Sequence, residues 1–194
     1  SSDGLIAAFD VEDGLKEGSK KTIEELKNQG ITVAMITGDS YVTAEKIAKR
    51  AGIDEFYAEV LPDGKADVVK KFNDAGKTTA FVGDGINDSP ALKTAKLGIA
   101  IGEGTDVAID SADVVIVGGK LSGVENAIGL GKKSVGIIKG NLFWAFFYNM
   151  LALPVAAGAL SFAGINLTPA ISSACMCLSS LFVVLNALRI NGYK

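Results

Sequence analysis

Histidine is absent from the 194 residues, which excludes imidazole general bases, Ser–His–Asp triads and histidine-ligated zinc together. Cysteine is nearly absent. Cys175 and Cys177, the only two, stand one residue apart inside an apolar run, a poor disulfide pair and no sign of an oxidising compartment. The N-terminal SSDGLIAAFD has neither the basic start nor the apolar core of a secretory signal. The chain therefore either enters a membrane through its own tail or is a piece of something longer. The largest gap is in charge: from Gly140 to Leu188, 49 residues contain no Asp, Glu, Lys or Arg. Of 19 basic and 22 acidic residues, only Lys139, Arg189 and Lys194 fall in the last 56 positions. The first 138 residues thus carry −6 and the tail +3. A wholly soluble globule does not separate charge in this way. Nucleic acid is disfavoured as a partner, because the polar part is acidic and has no Lys/Arg stripe.

What fills the uncharged run is two spans of membrane length, about 141–162 and about 169–188, each close to the ~20 residues that cross a bilayer. The polar-tinged GINLT between them predicts a tight hairpin. Lys132, Lys133 and Lys139 precede the first span, and Arg189 and Lys194 follow the second. This pattern puts both chain ends on the cytoplasmic side of a multi-pass lipid membrane. A buried helical pair in a soluble protein is the rival reading. Tyr148 and Asn149 lie mid-span, six and five residues before Pro154, while Met176 and Ser180 share one face of the second span. Polar groups at that depth often mark transport paths, and thioether and thiol sulfurs suit a soft ion such as Cu(I). Ordinary helix packing explains the same residues.

Residues 1–131 read as alternating strands and helices. Strands are expected at Leu5–Phe9, Thr32–Ile36, Thr79–Val82, Leu97–Ile101 and Val114–Val117. Helices are expected at Ser19–Gln29, Thr43–Ala51, Lys65–Phe72, Pro90–Ala95 and Thr105–Ser111, the first two stopped by Gly30 and Gly52. The alternation predicts a parallel sheet with helices on both faces, and ligands at the carboxyl ends of its strands. There the sequence places Thr37-Gly38-Asp39, and then Gly83-Asp84-Gly85-Ile86-Asn87-Asp88-Ser89-Pro90. Glycine permits close approach to a ligand. Asp84 and Asp88 could aim two carboxylates at one hard cation such as Mg²⁺, and Lys65 could meet a phosphoryl group.

Taken together, MITGD (Met35–Asp39), the LP and Lys of Leu61–Lys65, VGDGINDSP (Val82–Pro90) and GIAIGEGTDVAIDSADVV (Gly98–Val115) resemble the phosphorylation domain of P-type ATPases. That domain has a haloacid-dehalogenase-like, Rossmann-like α/β fold. NLFWAFFYN with Pro154, and MCLSS, resemble the last two membrane helices of the copper-transporting, heavy-metal branch. The resemblance implies a partial phosphorylation domain over 1–131, an incomplete parallel sheet, and a membrane hairpin over 132–194. It implies that Thr37, with Gly38 and Asp39, and Lys65 meet the phosphoryl group or its aspartate acceptor. It further implies Gly83 and Asn87 at the phosphate, Asp84 on Mg²⁺, and Asp88 at the same metal and supporting Lys65. Tyr148, Asn149, Met176 and Ser180 would line a Cu(I) path. ATP and Mg²⁺ are the implied cofactors. The implied partners are the actuator, the nucleotide-binding domain, further membrane helices and a copper chaperone. Cys175 and Cys177 match no motif.

The departures are equally specific. No Asp-Lys-Thr-Gly, Thr-Gly-Glu, His-Pro or Cys-Pro-Cys occurs in these residues, so the chain alone should not turn over ATP. Leu5–Leu15 (LIAAFDVEDGL) loosely resembles an Asp-x-Asp-Gly nucleophile motif, with one residue too many. A membrane-tethered phosphatase using Asp10 is thus one alternative. A non-catalytic fragment that needs a complementary chain is the other.

Overall fold

The computed structural model describes residues 15, 16, 18–84, 87–102, 110–159, 162 and 168–192. The chain divides into two compact units, Ser1–Glu125 and Asn126–Lys194.

In the first unit, α1 (Ser19–Asn28) buries Ser19, Thr22, Ile23 and Leu26, the spacing of a single helical stripe. β1 (Ala34–Ile36) follows. α2 (Tyr41–Ala51) begins where the Ser40 hydroxyl accepts from the Thr43 amide, buries Ala44, Ala48 and Ala51, and closes at Gly52 with φ 75°. β2 (Glu55–Tyr57) lies parallel to β1, with Ile36 opposite Tyr57. α3 (Pro62–Asp74) starts on a proline, which needs no hydrogen-bond acceptor in the first turn. β3 (Ala80–Gly83), α4 (Ser89–Thr94), β4 (Leu97–Gly102) and β5 (Val114–Val117) complete the unit.

The strands form two parallel sheets, β1-β2 and β3-β4-β5. Among the described residues, β1 and β3 are each paired on one side only. The core sits where α4 lies on β4. Leu92 and Ile99 are its largest fully buried side chains. Gly98 makes that approach possible, since a Cβ there would fall 2.7 Å from the Leu92 carbonyl oxygen.

Four of the expected helices and four of the expected strands are present, with ends shifted by up to three residues. Leu5–Phe9 and most of Thr105–Ser111 lie outside the described residues. β2 is a strand that the pattern did not announce; it is three residues long and starts on Glu55, just after Asp54.

In the second unit, α5 (Ser122–Ala156), whose first turn belongs to the first unit, is one 35-residue helix. It begins 19 residues before the expected span of about 141–162 and ends six residues before Phe162. Pro154 and Gly158 account for that end. Proline breaks the ladder, and Gly158, at φ 88°, lets Ala157 and Ala159 donate back to Leu153 and Pro154. α6 (Pro169–Ala187) leads into a 3₁₀ turn, Leu188–Gly192. Among the described residues, one helical stretch is long and apolar enough to cross a membrane: Ser172–Gly192, 21 residues with mean hydropathy 1.7.

Two predictions follow from the packing. Leu92→Ala should destabilise the α/β unit by about 2–5 kcal/mol, whereas exposed Val117→Ala should change it by no more than about 0.5 kcal/mol; urea unfolding of the full chain in detergent measures both. At the start of α5, a hydrogen bond that the protonated Glu125 carboxyl donates to Glu25, then burial and the negative charge of Glu25, raise the Glu125 carboxyl above its usual range, against the opposing charge of Lys21. The stability this contact gives is complete below the unfolded value and is lost as pH rises through the folded one. Glu125→Gln should therefore raise the unfolding midpoint at pH 7 and leave it unchanged near pH 4.

Candidate functional site

The loops that follow β1, β2 and β3 lie at the carboxyl ends of their strands. Thr37, just past β1, donates its amide to Tyr57 O and accepts from the Val60 amide, at 2.9 and 3.0 Å. The Glu59 amide donates to Asp39 O at 2.9 Å, so the first two loops are stitched together. Glu59 takes φ 55° to make that turn, a left-handed conformation that a non-glycine residue holds only when its surroundings require it. Within the first loop, the Thr37 hydroxyl donates to Asp39 Oδ2 at 2.7 Å and accepts from the Asp39 amide at 3.1 Å. Gly38 sits against the second loop, where a Cβ would lie 3.5 Å from Val60 O. Both polar side chains are thus preset by local bonds, with the hydroxyl at the solvent edge.

The second loop runs into α3, whose first turn carries Lys65. Its ammonium donates to Asp88 Oδ1 at 2.7 Å, with side-chain exposures of 19% and 11%. Asp88 is the N-cap of α4, yet its side chain caps no amide there. The carboxylate is turned toward Lys65 instead, and it packs on Gly83. A Cβ at Gly83 would come within 2.9 Å of both Asp88 Cβ and Cγ, so glycine is required by space at this position. Asp84 and Asn87 are exposed; Gly85 and Ile86 lie outside the described residues.

With one Asp88 oxygen bound to Lys65, Asp84 is the exposed carboxylate of this loop. No group of three or more His, Cys, Asp or Glu that could hold a metal occurs among the described residues. One or two carboxylates completed by water and phosphate oxygens still satisfy Mg²⁺. A phosphate-dependent Mg²⁺ site fits this loop, and a dedicated protein cage does not. Asp10 lies outside the described residues.

In the second unit, Tyr148 lines a cleft of about 330 Å³ between α5 and α6, together with Asn141, Trp144, Ser179, Phe182, Val183 and Asn186. Asn149 lines a second, more open cleft with Met150, Leu153 and Ser172. The Asn149 amide donates to Ala145 O at 2.8 Å, and the Ser180 hydroxyl to Met176 O at 3.1 Å. Met176 is 67% exposed, and neither it nor Ser180 borders either cleft. The four expected metal-path residues are therefore not gathered by these two helices alone. Sequence reasoning missed Ser179, Asn141 and Asn186. Their seven-residue offsets from Tyr148 and from one another were the available signal. Cys175 and Cys177 are exposed free thiols, two apart on a helix and so on different faces.

The α/β unit and its loops define a haloacid dehalogenase-like fold, and that hydrolase family matches residues 3–96. The resemblance to copper-transporting P-type ATPases is borne out over nearly the whole chain. Copper-transporting ATPase 1 of Rhizobium meliloti (strain 1021) is 53% identical over 192 residues, 98% of this chain and 23% of that protein. The copper-exporting P-type ATPase of Bacillus subtilis (strain 168) is 48% identical over 191 residues, again 98% of this chain and 23% of that one. The crystal structure of a zinc-transporting PIB-type ATPase in its E2.Pi state superposes with a TM-score of 0.80 at 33% identity, covering 92% of this chain and 28% of that one. The chain spans about a quarter of the length of the curated relatives it matches.

If Lys65 and Asp88 stabilise each other, removing one should cost more than removing both. Lys65→Met or Asp88→Asn should each destabilise the α/β unit by about 3 kcal/mol, and the double variant by clearly less than either. Urea midpoints for the three variants close the cycle.

Proposed function

We propose that this chain is part of an ATP-driven Cu(I)-exporting P-type ATPase, supplying phosphate-handling loops and part of the intramembrane metal path. The observation that carries the reading is the Lys65–Asp88 pair, set beside the stitched Thr37 loop in a chain about half identical to copper-transporting ATPases. On this reading the acceptor aspartate lies on another segment of the pump, and residues 1–131 contribute its surroundings. Lys65, held by Asp88, places one positive charge on the transferring phosphoryl group. Such positioning and charge are most of what phosphoryl transfer asks of a protein. Thr37, with the Gly38 amide and Asp39, orients the phosphoryl oxygens, and Asn87 and Gly83 complete the cradle. Mg²⁺, held by Asp84 with water and phosphate oxygens, would offset the charge on the transferring group.

Residues 132–194 form the membrane hairpin, with both ends cytoplasmic. Cu(I), as substrate, passes Tyr148, Asn149, Met176 and Ser180, with the missing contacts supplied by other helices of the pump. The soft thioether of Met176 suits that ion. The actuator and nucleotide-binding domains and a copper chaperone are the partners of the intact protein.

In the full-length pump, ATP hydrolysis should rise with Cu(I), and Lys65→Met should lower that rate by about a hundredfold or more. Undiminished turnover in the variant would overturn the assignment of Lys65. The isolated chain should release no phosphate from ATP or p-nitrophenyl phosphate with Mg²⁺. Release that Asp10→Asn abolishes would transfer the chain to the phosphatase reading.

A further inference from the structure

Asn186 Nδ2 donates to Asn141 Oδ1 at 2.8 Å between α6 and α5, and Arg189 Nη1 donates to Asn186 Oδ1 at 3.1 Å. A guanidinium has only donors. Arg189 therefore fixes the Asn186 amide with its oxygen outward and its nitrogen toward Asn141. Both asparagines are half-buried, beside Trp144, Phe182 and Val183. In apolar surroundings an amide that loses its partner is penalised, so the pair selects one register of the two helices.

That register has a consequence seven residues away. Tyr148 lies two turns beyond Asn141 on α5, and Ser179 lies two turns before Asn186 on α6, each about 10 Å along its helix. The helices run antiparallel, since Asn141 meets Asn186 while Ala156 and Ser172 border a common cleft. Pairing the asparagines therefore brings Tyr148 and Ser179 to the same level, and all four line one cleft of about 330 Å³. Slipping α6 by one residue would turn Ser179 away by about 100° and close the polar side of that cleft.

We propose that Asn141 and Asn186 are positioning residues: an interhelical hydrogen-bond clamp, anchored by Arg189, that sets the register of α5 and α6 and hence the shape of the Tyr148–Ser179 cleft. The inference rests on the reading that Cu(I) passes Tyr148. The clamp acts on how tightly the pump takes its ion, while phosphoryl chemistry belongs to the loops of the other unit.

The test is steady-state Cu(I)-stimulated ATP hydrolysis by the full-length pump. Asn141→Leu and Asn186→Leu should each raise the KM for Cu(I) about tenfold, with kcat within about twofold of the wild type. Both remove the interhelical bond, and Asn186→Leu also releases Arg189, so the double variant should be no worse than Asn186→Leu alone. Asn141→Asp keeps the acceptor and should restore a near-normal KM. Multiplicative losses, an unchanged KM in the leucine variants, or failure of the aspartate to rescue would each overturn the clamp. Melting temperatures of the same variants in metal-free detergent give a readout independent of the ion. They should show the same non-additivity and the same rescue, and independent, additive shifts would overturn the clamp. A wild-type pump indifferent to Cu(I), with melting temperatures that follow the clamp pattern, would overturn the transport reading while upholding the clamp.

Discussion

The ion pair between Lys65 and Asp88 joins two sheets that, among the described residues, share no strand. Lys65 stands in the first turn of the helix that follows β2, and Asp88 caps the helix that follows β3. Their 2.7 Å contact therefore ties the β1-β2 half to the β3-β4-β5 half at the ends where the functional loops emerge. A second tie lies at the far end of α3. There the Asn73 amide donates to Thr94 O and its oxygen accepts from the Thr79 hydroxyl. Much of the local sequence is explained by keeping this pair in place. Gly83 must lack a side chain, Asp88 must forgo capping its own helix, and Pro62 must start α3 early enough to put Lys65 in its first turn. The pair is not chiefly a source of stability, since burying two charges costs nearly what their attraction returns. Its effect is to fix an ammonium in one place among the loops at the carboxyl ends of the strands.

The loops were readable because they are local. Thr37-Gly38-Asp39 and the run from Gly83 to Pro90 are short motifs of adjacent residues, and they follow strands that periodicity could find. Gly52 was readable as a stop for the same reason. β2 was not, because a three-residue strand with Glu55 at its start offers no alternation; it exists through its pairing with β1, a non-local event. α5 ends before the hydrophobic stretch does, because Pro154 and Gly158 act as punctuation within it. The helix itself begins 19 residues before the expected span, because the lysines before Asn141 bound an uncharged stretch without interrupting the helix.

The same distinction sorts the polar residues of α5 and α6. Asn149 and Ser180 bond to carbonyls one turn back on their own helices, as Ser134 does to Leu130. A group satisfied in this way is tolerated in lipid whatever stands beside it, so its position says nothing about packing. The Ser180 hydroxyl donates its hydrogen bond to Met176 O and keeps oxygen lone pairs that can still accept one. Asn141 and Asn186 spend their amides on each other instead, and that choice does specify a neighbour.

Helical spacing could place Met176 and Ser180 on one face from sequence alone. It could not say that Ser179, one residue earlier, shares the cleft with Tyr148, because which face meets α5 is decided at Asn186, two turns away. Many large apolar side chains on these helices face outward, Phe146, Met150, Leu153 and Met176 among them, each at least 66% exposed. Such a surface is not stable against water and demands lipid or further helices around it. In that medium the hydrophobic effect does not choose one helix register over another. The choice falls to the few hydrogen bonds that cross between helices, and two asparagines then carry more structural information than the apolar residues around them.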